Sequence, residues 1–272
     1  KSTNNAIIVY MRFFAATEVF MNHIVIDLEF NQASSNRGNR NSLEECPFEI
    51  IQIGAVKLND SMEITDRFTC LIKPQIYTKM NNIVEEITGI TDEILEDCPY
   101  FQDAFSSFAA FADDKSNNDY VLYTWGSDDI KSLLRNIKYF KCDVNLITNK
   151  YINIQPIAAK LLNSTSGGTI GLKNAAEYFG INTDLKFHDA LNDAEYTARI
   201  LERIFTELPQ PTEFSVKDIK KASSKKKHSL RIDTDELIHY FETALERKLT
   251  GEETAIALTA YKLGRKRKYE VE

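Results

Sequence analysis

The chain contains 272 residues with a formal net charge of −7, and 43% of its residues are hydrophobic. This length and composition predict one sizeable domain with its own core, plus an appendage. No run of about 18 or more apolar residues occurs, so no transmembrane helix is predicted and no membrane partner is expected. Arg12 and Glu18 interrupt the apolar stretch at 6–21, which argues against a signal peptide. Residues 1–20 are interpreted as an N-terminal extension, native or not, before a natural start at Met21.

The cysteines predict a reducing environment. Cys46, Cys70, Cys98 and Cys142 are widely and irregularly spaced, and neither a C-x-x-C pair nor a Cys/His zinc pattern occurs in the sequence. We therefore expect reduced thiols in a cytoplasmic protein.

The first predicted strand, residues 23–30, carries two carboxylates at its end. It is rich in β-branched residues and almost continuously apolar until Asp27 and Glu29. Because successive side chains of a strand point to opposite faces, these acids share a face, about 7 Å apart. A bound cation would relieve their repulsion, and Mg²⁺ and Mn²⁺ prefer such oxygen ligands. Taken alone, the pair is more typical of the solvated face of an edge strand.

A later predicted strand ends at Trp125 and is followed by an acidic helix start. Gly126 breaks the strand, and Asp128 and Asp129 open the helix. An acid on a strand-to-helix turn, at the carboxyl end of a strand, lies where open α/β sheets place their sites. The alternative assigns Ser127 and Asp128 to helix capping and Trp125 to the core.

A third acidic signature runs from His188 to Asp193. Apolar residues recur at spacings of three and four from Ala190 to Ile204, which predicts an amphipathic helix. Asp189 suits the N-cap or the first turn, so His188 lies on the preceding loop and Asp193 one turn inside the helix. A mobile general base beside a rigid metal ligand fits this arrangement, because an imidazole with a pKa of about 6.5 accepts protons at neutral pH. Each residue alone also fits an ordinary surface position.

Together these signatures predict a metal site that folding assembles from distant carboxylates for phosphodiester chemistry. The chain resembles the DnaQ-like family of 3′–5′ exonucleases, of the DEDDh type, and within it the stand-alone KapD-like and Eri-type members. The resemblance covers residues 21–207. Its motifs, in chain order, are Asp27-Leu28-Glu29-Phe30, Glu49–Leu58, Ile87–Ile90, Trp125-Gly126 with Asp129, Leu172–Ile181, and His188 with Asp193.

The resemblance implies roles for particular residues. Asp27, Glu29, Asp129 and Asp193 would bind two Mg²⁺ or Mn²⁺ ions about 4 Å apart, and His188 would be the general base. Asp128 ranks second to Asp129, because the family spacing after Trp-Gly favours Asp129. Residues expected to contact the substrate are Leu28, Phe30, Thr88, Gly89, Ile90 and Trp125.

The chain departs from the family pattern after Phe30, where Asn31 replaces a frequent Thr. A polar loop follows at 32–42, and it either is solvated or places Arg37 and Arg40 against substrate phosphates. The four predicted metal-binding acids and His188 all match the family pattern, so we expect an active enzyme.

The predicted architecture is a ribonuclease-H-like three-layer α/β/α fold with a mixed five-stranded sheet, followed by a C-terminal helical appendage. An exonuclease domain at 21–207 ends at Leu208-Pro209-Gln210-Pro211, and the appendage spans 208–272. Predicted strands are 23–30, 49–59, 64–73, 120–125 and about 151–154. Predicted helices are roughly 101–113, 128–138, 154–163, 170–179 and 189–206, with 233–248 and 251–264 in the appendage.

The charge is unevenly distributed. Residues 208–272 hold 14 Lys and Arg against 11 Asp and Glu, a formal charge of +3, whereas the remaining 207 residues carry −10. The appendage either packs on the domain, a second subunit or another protein partner, or binds the phosphate backbone through its lysines.

The predicted function is a metal-dependent 3′–5′ exonuclease that acts on single-stranded 3′ ends of RNA or DNA and releases nucleoside 5′-monophosphates. One alternative is a non-catalytic nucleic-acid-binding or scaffold module of the same fold, against which the intact acids and His188 argue. Another is a structural partner of a polymerase or other machine, docked through the appendage. The residues near a 2′-hydroxyl cannot be read from the sequence, so RNA and DNA both stay open.

Overall fold

The computed structural model describes residues 22–33, 42–113, 119–162, 169–214, 234–245 and 247–265. The predicted extension at 1–20 and the loop arginines Arg37 and Arg40 lie outside these residues. The chain divides into two compact units, Lys1–Ala222 and Ser223–Glu272. Among the helices that the structure describes, none is both long and apolar enough to cross a membrane.

The first unit is built on one mixed sheet of six strands in the order β3-β2-β1-β4-β5-β6. An antiparallel meander, β1 to β3, is joined to β4 and β5, which run parallel to β1, and β6 pairs antiparallel with β5. The predicted mixed sheet is observed, with the short β6 added at one edge. The strands are β1 (Asn22–Asn31), β2 (Glu49–Leu58), β3 (Ile64–Leu71), β4 (Tyr120–Thr124), β5 (Lys150–Asn153) and β6 (Thr212–Glu213).

Helices cover both faces of this sheet. In the described part of the first unit they are α1 (Asn82–Thr88), α2 (Asp92–Leu95), α3 (Phe101–Ala112), α4 (Asp128–Tyr139), α5 (Gln155–Leu161), α6 (Leu172–Tyr178) and α7 (Ala190–Ile204). The second unit contains α8 (Thr234–Leu245) and α9 (Gly251–Arg265), as predicted for a helical appendage. At its turn, the Arg247 guanidinium donates to both carboxylate oxygens of Glu253, at 2.8 and 2.7 Å.

The side chains of β1 alternate between two hydrophobic cores. Ile24, Ile26 and Leu28 lie in a core with residues of α3 and α4, whereas Val25 lies in a core with α6 and α7. Residues that are two apart on a strand share a face, so Asp27 and Glu29 lie on the α7 face of the sheet. This alternation therefore directs both acids toward the helix that carries Asp193.

The start of α7 lies directly on β2 at Gly54. A Cβ atom at this position would come within 2.1 Å of the Ala190 carbonyl carbon and 2.2 Å of the Leu191 backbone nitrogen. Gly54 is also the register partner of Asp27 across the β1–β2 ladder. Because Gly54 has no side chain, the first turn of α7 can pack beside Asp27.

Replacing Gly54 with Ala is expected to destabilise the first unit by about 3 kcal/mol or more, because the new methyl group displaces backbone atoms. The melting temperature should fall by about 6 °C or more, as measured by differential scanning calorimetry. Gly171→Ala is the matched control: its Cβ meets nothing within 4 Å, and its helix-capping position limits the effect to about 1 kcal/mol. Equal melting temperatures for the two variants would contradict the close approach of α7.

Candidate active site

Four carboxylates from three elements converge toward the carboxyl end of the interior strand β1. Asp27 and Glu29 come from β1, Asp129 from the first turn of α4, and Asp193 from the first turn of α7. Asp27 interacts electrostatically with each of the other three acids. Ligand atoms of Glu29, His188 and Asp193 lie within 4.8 Å of one another. The structure thus brings together all five residues that were predicted to carry the chemistry.

Burial and mutual repulsion raise the pKa of every acid in this cluster. Desolvation, followed by repulsion from the other acids, raises the pKa of Asp27 well above its usual range. Burial first, then Asp193, raises the pKa of Glu29 to about 7. The pKa of Asp129 rises to about 8 through burial and then Asp128, and that of Asp193 rises to about 6 through burial. Without a cation, the cluster therefore retains protons to unusually high pH.

A buried acceptor in this cluster has no partner among the described residues. The Asp193 Oδ2 accepts a hydrogen bond from the His188 backbone N–H at 3.1 Å, but its Oδ1 is buried and accepts none. An unsatisfied buried acceptor typically costs about 1–3 kcal/mol. A divalent cation would satisfy that oxygen and offset the repulsion among the acids, and an oxygen-rich donor set suits Mg²⁺ or Mn²⁺. The residues present therefore fit such an ion.

The two adjacent acids at the start of α4 differ in environment. Asp129 is 8% exposed and interacts with Glu29 and Asp193. The Asp128 side chain is 92% exposed and forms an ion pair with Lys131 at 3.1 Å. The fold therefore directs Asp129 into the cluster and Asp128 toward solvent.

His188 lies on the loop before α7 with its side chain exposed. Its φ of 63° falls in the left-handed region, which is uncommon for a residue with a Cβ. Asp189 is the N-cap, as predicted, and accepts hydrogen bonds from the Leu191 and Asn192 N–H groups, each at 3.1 Å. The backbone around His188 is thus bonded to the first turn of the helix, while its imidazole is exposed.

Gln52 is a supporting residue that the sequence analysis did not single out. Its Nε2 donates to Asp189 Oδ2 at 3.1 Å, and its Oε1 accepts from the Ala190 N–H at 3.2 Å. Gln52 is 4% exposed between two buried isoleucines of β2. A polar residue inside an apolar strand was the available signal for this role.

Among the predicted substrate contacts, Trp125 and Gly89 retain exposed surface. Trp125 donates from its indole Nε1 to the Ile170 carbonyl at 3.1 Å, and it lines a cleft of about 540 Å³ together with Asp129. Gly89 ends α1 with a φ of 79°, and the neighbouring Thr88 carbonyl accepts a hydrogen bond from Lys186 Nζ at 2.8 Å.

Of the apolar residues that were predicted to contact the substrate, two are more buried than Trp125 and Gly89. Leu28 is 4% exposed and lies in the core on the face opposite Asp27, and Ile90 is 6% exposed in a small separate core. Phe30 is partly buried, with its ring 6.2 Å from that of Phe48. Of these three residues, Phe30 alone keeps appreciable surface.

Asn31, the departure from the family pattern, has a clear structural role. Its Nδ2 donates to the carbonyls of Tyr77 at 2.8 Å and Lys79 at 3.0 Å. Its Oδ1 accepts from the N–H of Asn81, the N-cap of α1, at 3.0 Å. An amide has enough donors and acceptors for all three bonds, whereas a Thr hydroxyl donates only once. Asn31 therefore ties the end of β1 to the helix that leads to Thr88.

The sheet and its flanking helices have the fold of solved DEDDh-type exonucleases. The nuclease domain of 3′hExo, a DEDDh family member bound to rAMP, matches with a TM-score of 0.60 and 23% identity, covering 72% of this chain and 99% of that domain. The prediction of a ribonuclease-H-like α/β fold is confirmed.

The chain belongs to the exonuclease family whose model is described as RNase_T, which matches residues 24–201. It is 28% identical over 162 residues to DNA polymerase III subunit epsilon of Aquifex aeolicus, covering 59% of this chain and 73% of that protein. It is 27% identical over 192 residues to 3′-5′ exoribonuclease 1 of Rattus norvegicus, covering 66% and 52%, respectively.

The chain also matches PolC-type DNA polymerases III, of which it spans about a tenth of the length. The resemblance to DnaQ-like enzymes and the assignment as a 3′–5′ exonuclease are therefore confirmed at the level of the family.

Proposed function

We propose that this chain is a metal-dependent exonuclease that hydrolyses single-stranded RNA or DNA from the 3′ end and releases nucleoside 5′-monophosphates. The convergence of four carboxylates and one imidazole around the carboxyl end of β1 supports this proposal most strongly. Relatives named for DNA polymerase III and for an exoribonuclease keep both nucleic acids as candidate substrates.

Asp27, Glu29, Asp129 and Asp193 are proposed to hold two Mg²⁺ or Mn²⁺ ions. Such ions, when bound, neutralise charge on the phosphate and activate water for attack at neutral pH. The raised pKa values of the acids and the unpartnered Asp193 Oδ1 support this ligand set. In the absence of ions, protons occupy the acids instead.

His188 is proposed to act as the general base. Its exposed imidazole lies beside Glu29 and Asp193, so one ring nitrogen accepts the proton from the attacking water. The neighbouring carboxylates stabilise the resulting imidazolium. The water oxygen forms a bond to phosphorus, the P–O3′ bond breaks, and the departing 3′ oxygen takes a proton from solvent water to become a hydroxyl group. A positioned base of this kind typically contributes about 10²–10⁴ to the rate.

The terminal nucleotide is proposed to contact Phe30, Gly89 and Trp125, which keep exposed surface. The Thr88 carbonyl, bonded to Lys186, fixes the position of Gly89. Leu28 and Ile90 are proposed to support this surface from the cores beneath it. Apolar and stacking contacts read a base without identifying it, so little sequence preference is expected.

The test is digestion of 5′-labelled single-stranded RNA and DNA oligonucleotides with Mn²⁺, with Mg²⁺ and with EDTA. We expect a ladder that shortens from the 3′ end, release of nucleoside 5′-monophosphates, and no reaction in EDTA. A circular single strand, which has no end, is the matched control and should stay intact. Failure to cleave either nucleic acid with any metal would favour the binding-module alternative.

The location and assembly of the protein are further proposals. The four cysteines are free, which supports the reducing environment of the cytoplasm. In the appendage proposed at 208–272, Phe241, Leu245 and Ile256 expose 38%, 49% and 68% of their surfaces. We propose that α8 and α9 mediate a homodimer or bind a protein partner, and the molecular mass from light scattering of the full chain tests the dimer.

A further inference from the structure

Tyr196 on α7 binds the loop that carries His188 through both its hydroxyl group and its ring. The hydroxyl donates to the Leu185 carbonyl at 2.8 Å and accepts from the Leu185 N–H at 2.7 Å. The Phe187 ring stacks on the Tyr196 ring, with centroids 4.7 Å apart and an interplanar angle of 25°. One side chain, only 1% exposed, therefore holds two of the three residues before His188.

The remaining residues of this loop are bonded to the same helix. The Lys186 carbonyl accepts from Asn192 Nδ2 at 2.9 Å, and the His188 N–H donates to Asp193 Oδ2 at 3.1 Å. The left-handed backbone of His188, with a φ of 63°, costs roughly 1–2 kcal/mol and persists only where surrounding contacts hold it. The contacts made by Tyr196 and its neighbours on α7 supply that restraint.

We propose that Tyr196 is a positioning residue that fixes the location of the His188 imidazole relative to Asp193. The inference rests on the proposed role of His188 as the base. Because Tyr196 lies three residues after Asp193 on one helix, the base and a ligand of the metal site share one rigid support. The hydroxyl bonds to Leu185 fix the loop in register with that support.

Loss of the hydroxyl alone leaves the fold in place. The two hydrogen bonds to Leu185 are only partly buried, so water can replace the hydroxyl at these backbone groups. A phenylalanine ring at position 196 would keep the stacking contact with Phe187. The change therefore loosens the loop without opening the core, and a displacement of about 1 Å at a catalytic group can cost about a hundredfold in rate.

The experiment measures kcat, KM and Mn²⁺ affinity for Tyr196→Phe in the full chain. We expect kcat to fall about tenfold while KM and Mn²⁺ affinity change less than about twofold, because the substrate and metal contacts remain. Tyr120→Phe is the matched control: its buried hydroxyl accepts a bond from the Thr148 N–H at 3.1 Å in the other core. It should lower the melting temperature and leave kcat unchanged.

A double-mutant cycle with His188→Ala separates positioning from general destabilisation. If Tyr196 acts through His188, Tyr196→Phe has no further effect on the residual kcat of His188→Ala. An equal loss of kcat in both backgrounds, or an unchanged kcat in Tyr196→Phe alone, overturns the proposal. An unchanged kcat in His188→Ala overturns the base assignment itself, and the positioning role with it.

A second probe applies if Tyr196→Phe does not fold. Phe187→Leu removes the ring stacking but keeps both hydroxyl bonds to Leu185. We expect a severalfold loss of kcat at constant KM, again absent in the His188→Ala background. A loss that appears in KM instead would contradict a role in positioning the base.

Discussion

Replacing Asp27 with Asn is expected to lower kcat by about a thousandfold and to leave the protein folded. Burial raises the pKa of Asp27, and electrostatic interaction with all three other carboxylates of the cluster adds to this effect. Asparagine keeps the shape of the side chain but removes the charge that holds a divalent cation. Initial rates with saturating Mn²⁺ and a 5′-labelled oligonucleotide measure the loss, and far-ultraviolet circular dichroism verifies the fold.

The same variant is expected to be more stable than the original chain when metal is absent. The substitution replaces an ionisable carboxyl, whose burial beside three other acids disfavours its charged form, with a neutral amide, so the melting temperature in EDTA at about pH 8 rises. Asp128→Asn is the matched control: its exposed carboxylate pairs with Lys131 and affects the cluster only through the pKa of Asp129, so it should change rate and stability far less than Asp27→Asn does. Near-normal activity of Asp27→Asn would exclude Asp27 as a ligand.

The sheet could be predicted because its strands carry strong local signals. β1, β2 and β4 are buried runs rich in β-branched residues, and the turn residues around them mark their ends. β6 escaped prediction because it has two exposed residues immediately after Pro211. Its extended conformation is stabilised by pairing with β5, which is a tertiary contact that the local sequence does not reveal.

The short helices α1 and α2 were also missed, for a different physical reason. α1 leaves Ile83 and Ile87 exposed at 58% and 45%, so it lacks the buried apolar stripe that marks a helix. The glycine of the Ile87–Ile90 motif indicates a turn from the sequence alone, and Gly89 forms the left-handed cap of α1. The turn had a local signal, whereas the helix before it is fixed by the contacts of Asn31 and Asn81.

The candidate metal ligands could be proposed from the order of the motifs, but the residues that position them could not. The approach of α7 to β2 depends on Gly54, and a sequence does not reveal which backbone lies 2.1 Å from an absent Cβ. Gln52 binds Asp189 across 137 positions, and Asn31 binds Tyr77 across 46. Such partners are set by folding, so the residues that orient the loop around His188 emerge only from the structure.

In EDTA, the thermal stability of the protein is expected to fall as the pH rises from about 5 to about 8. Burial raises the pKa of Asp193 from 3.8 to about 6, that of Glu29 from 4.5 to about 7, and that of Asp129 from 3.8 to about 8. Because these folded-state values exceed the unfolded ones, the native state binds more protons. The associated stability is complete below about pH 4 and is lost as each folded-state pKa is passed.

Scanning calorimetry across this interval should record a decrease in melting temperature on the order of 5 °C or more. Saturating Mn²⁺ should reverse the trend, because the ion binds the deprotonated acids and stabilises only the folded chain. The double variant Glu29→Gln with Asp129→Asn should weaken both the decline and its reversal by removing two of the titrating groups. A melting temperature in EDTA that rises steadily over the same range would show that the pKa values of these acids are not raised in the folded state.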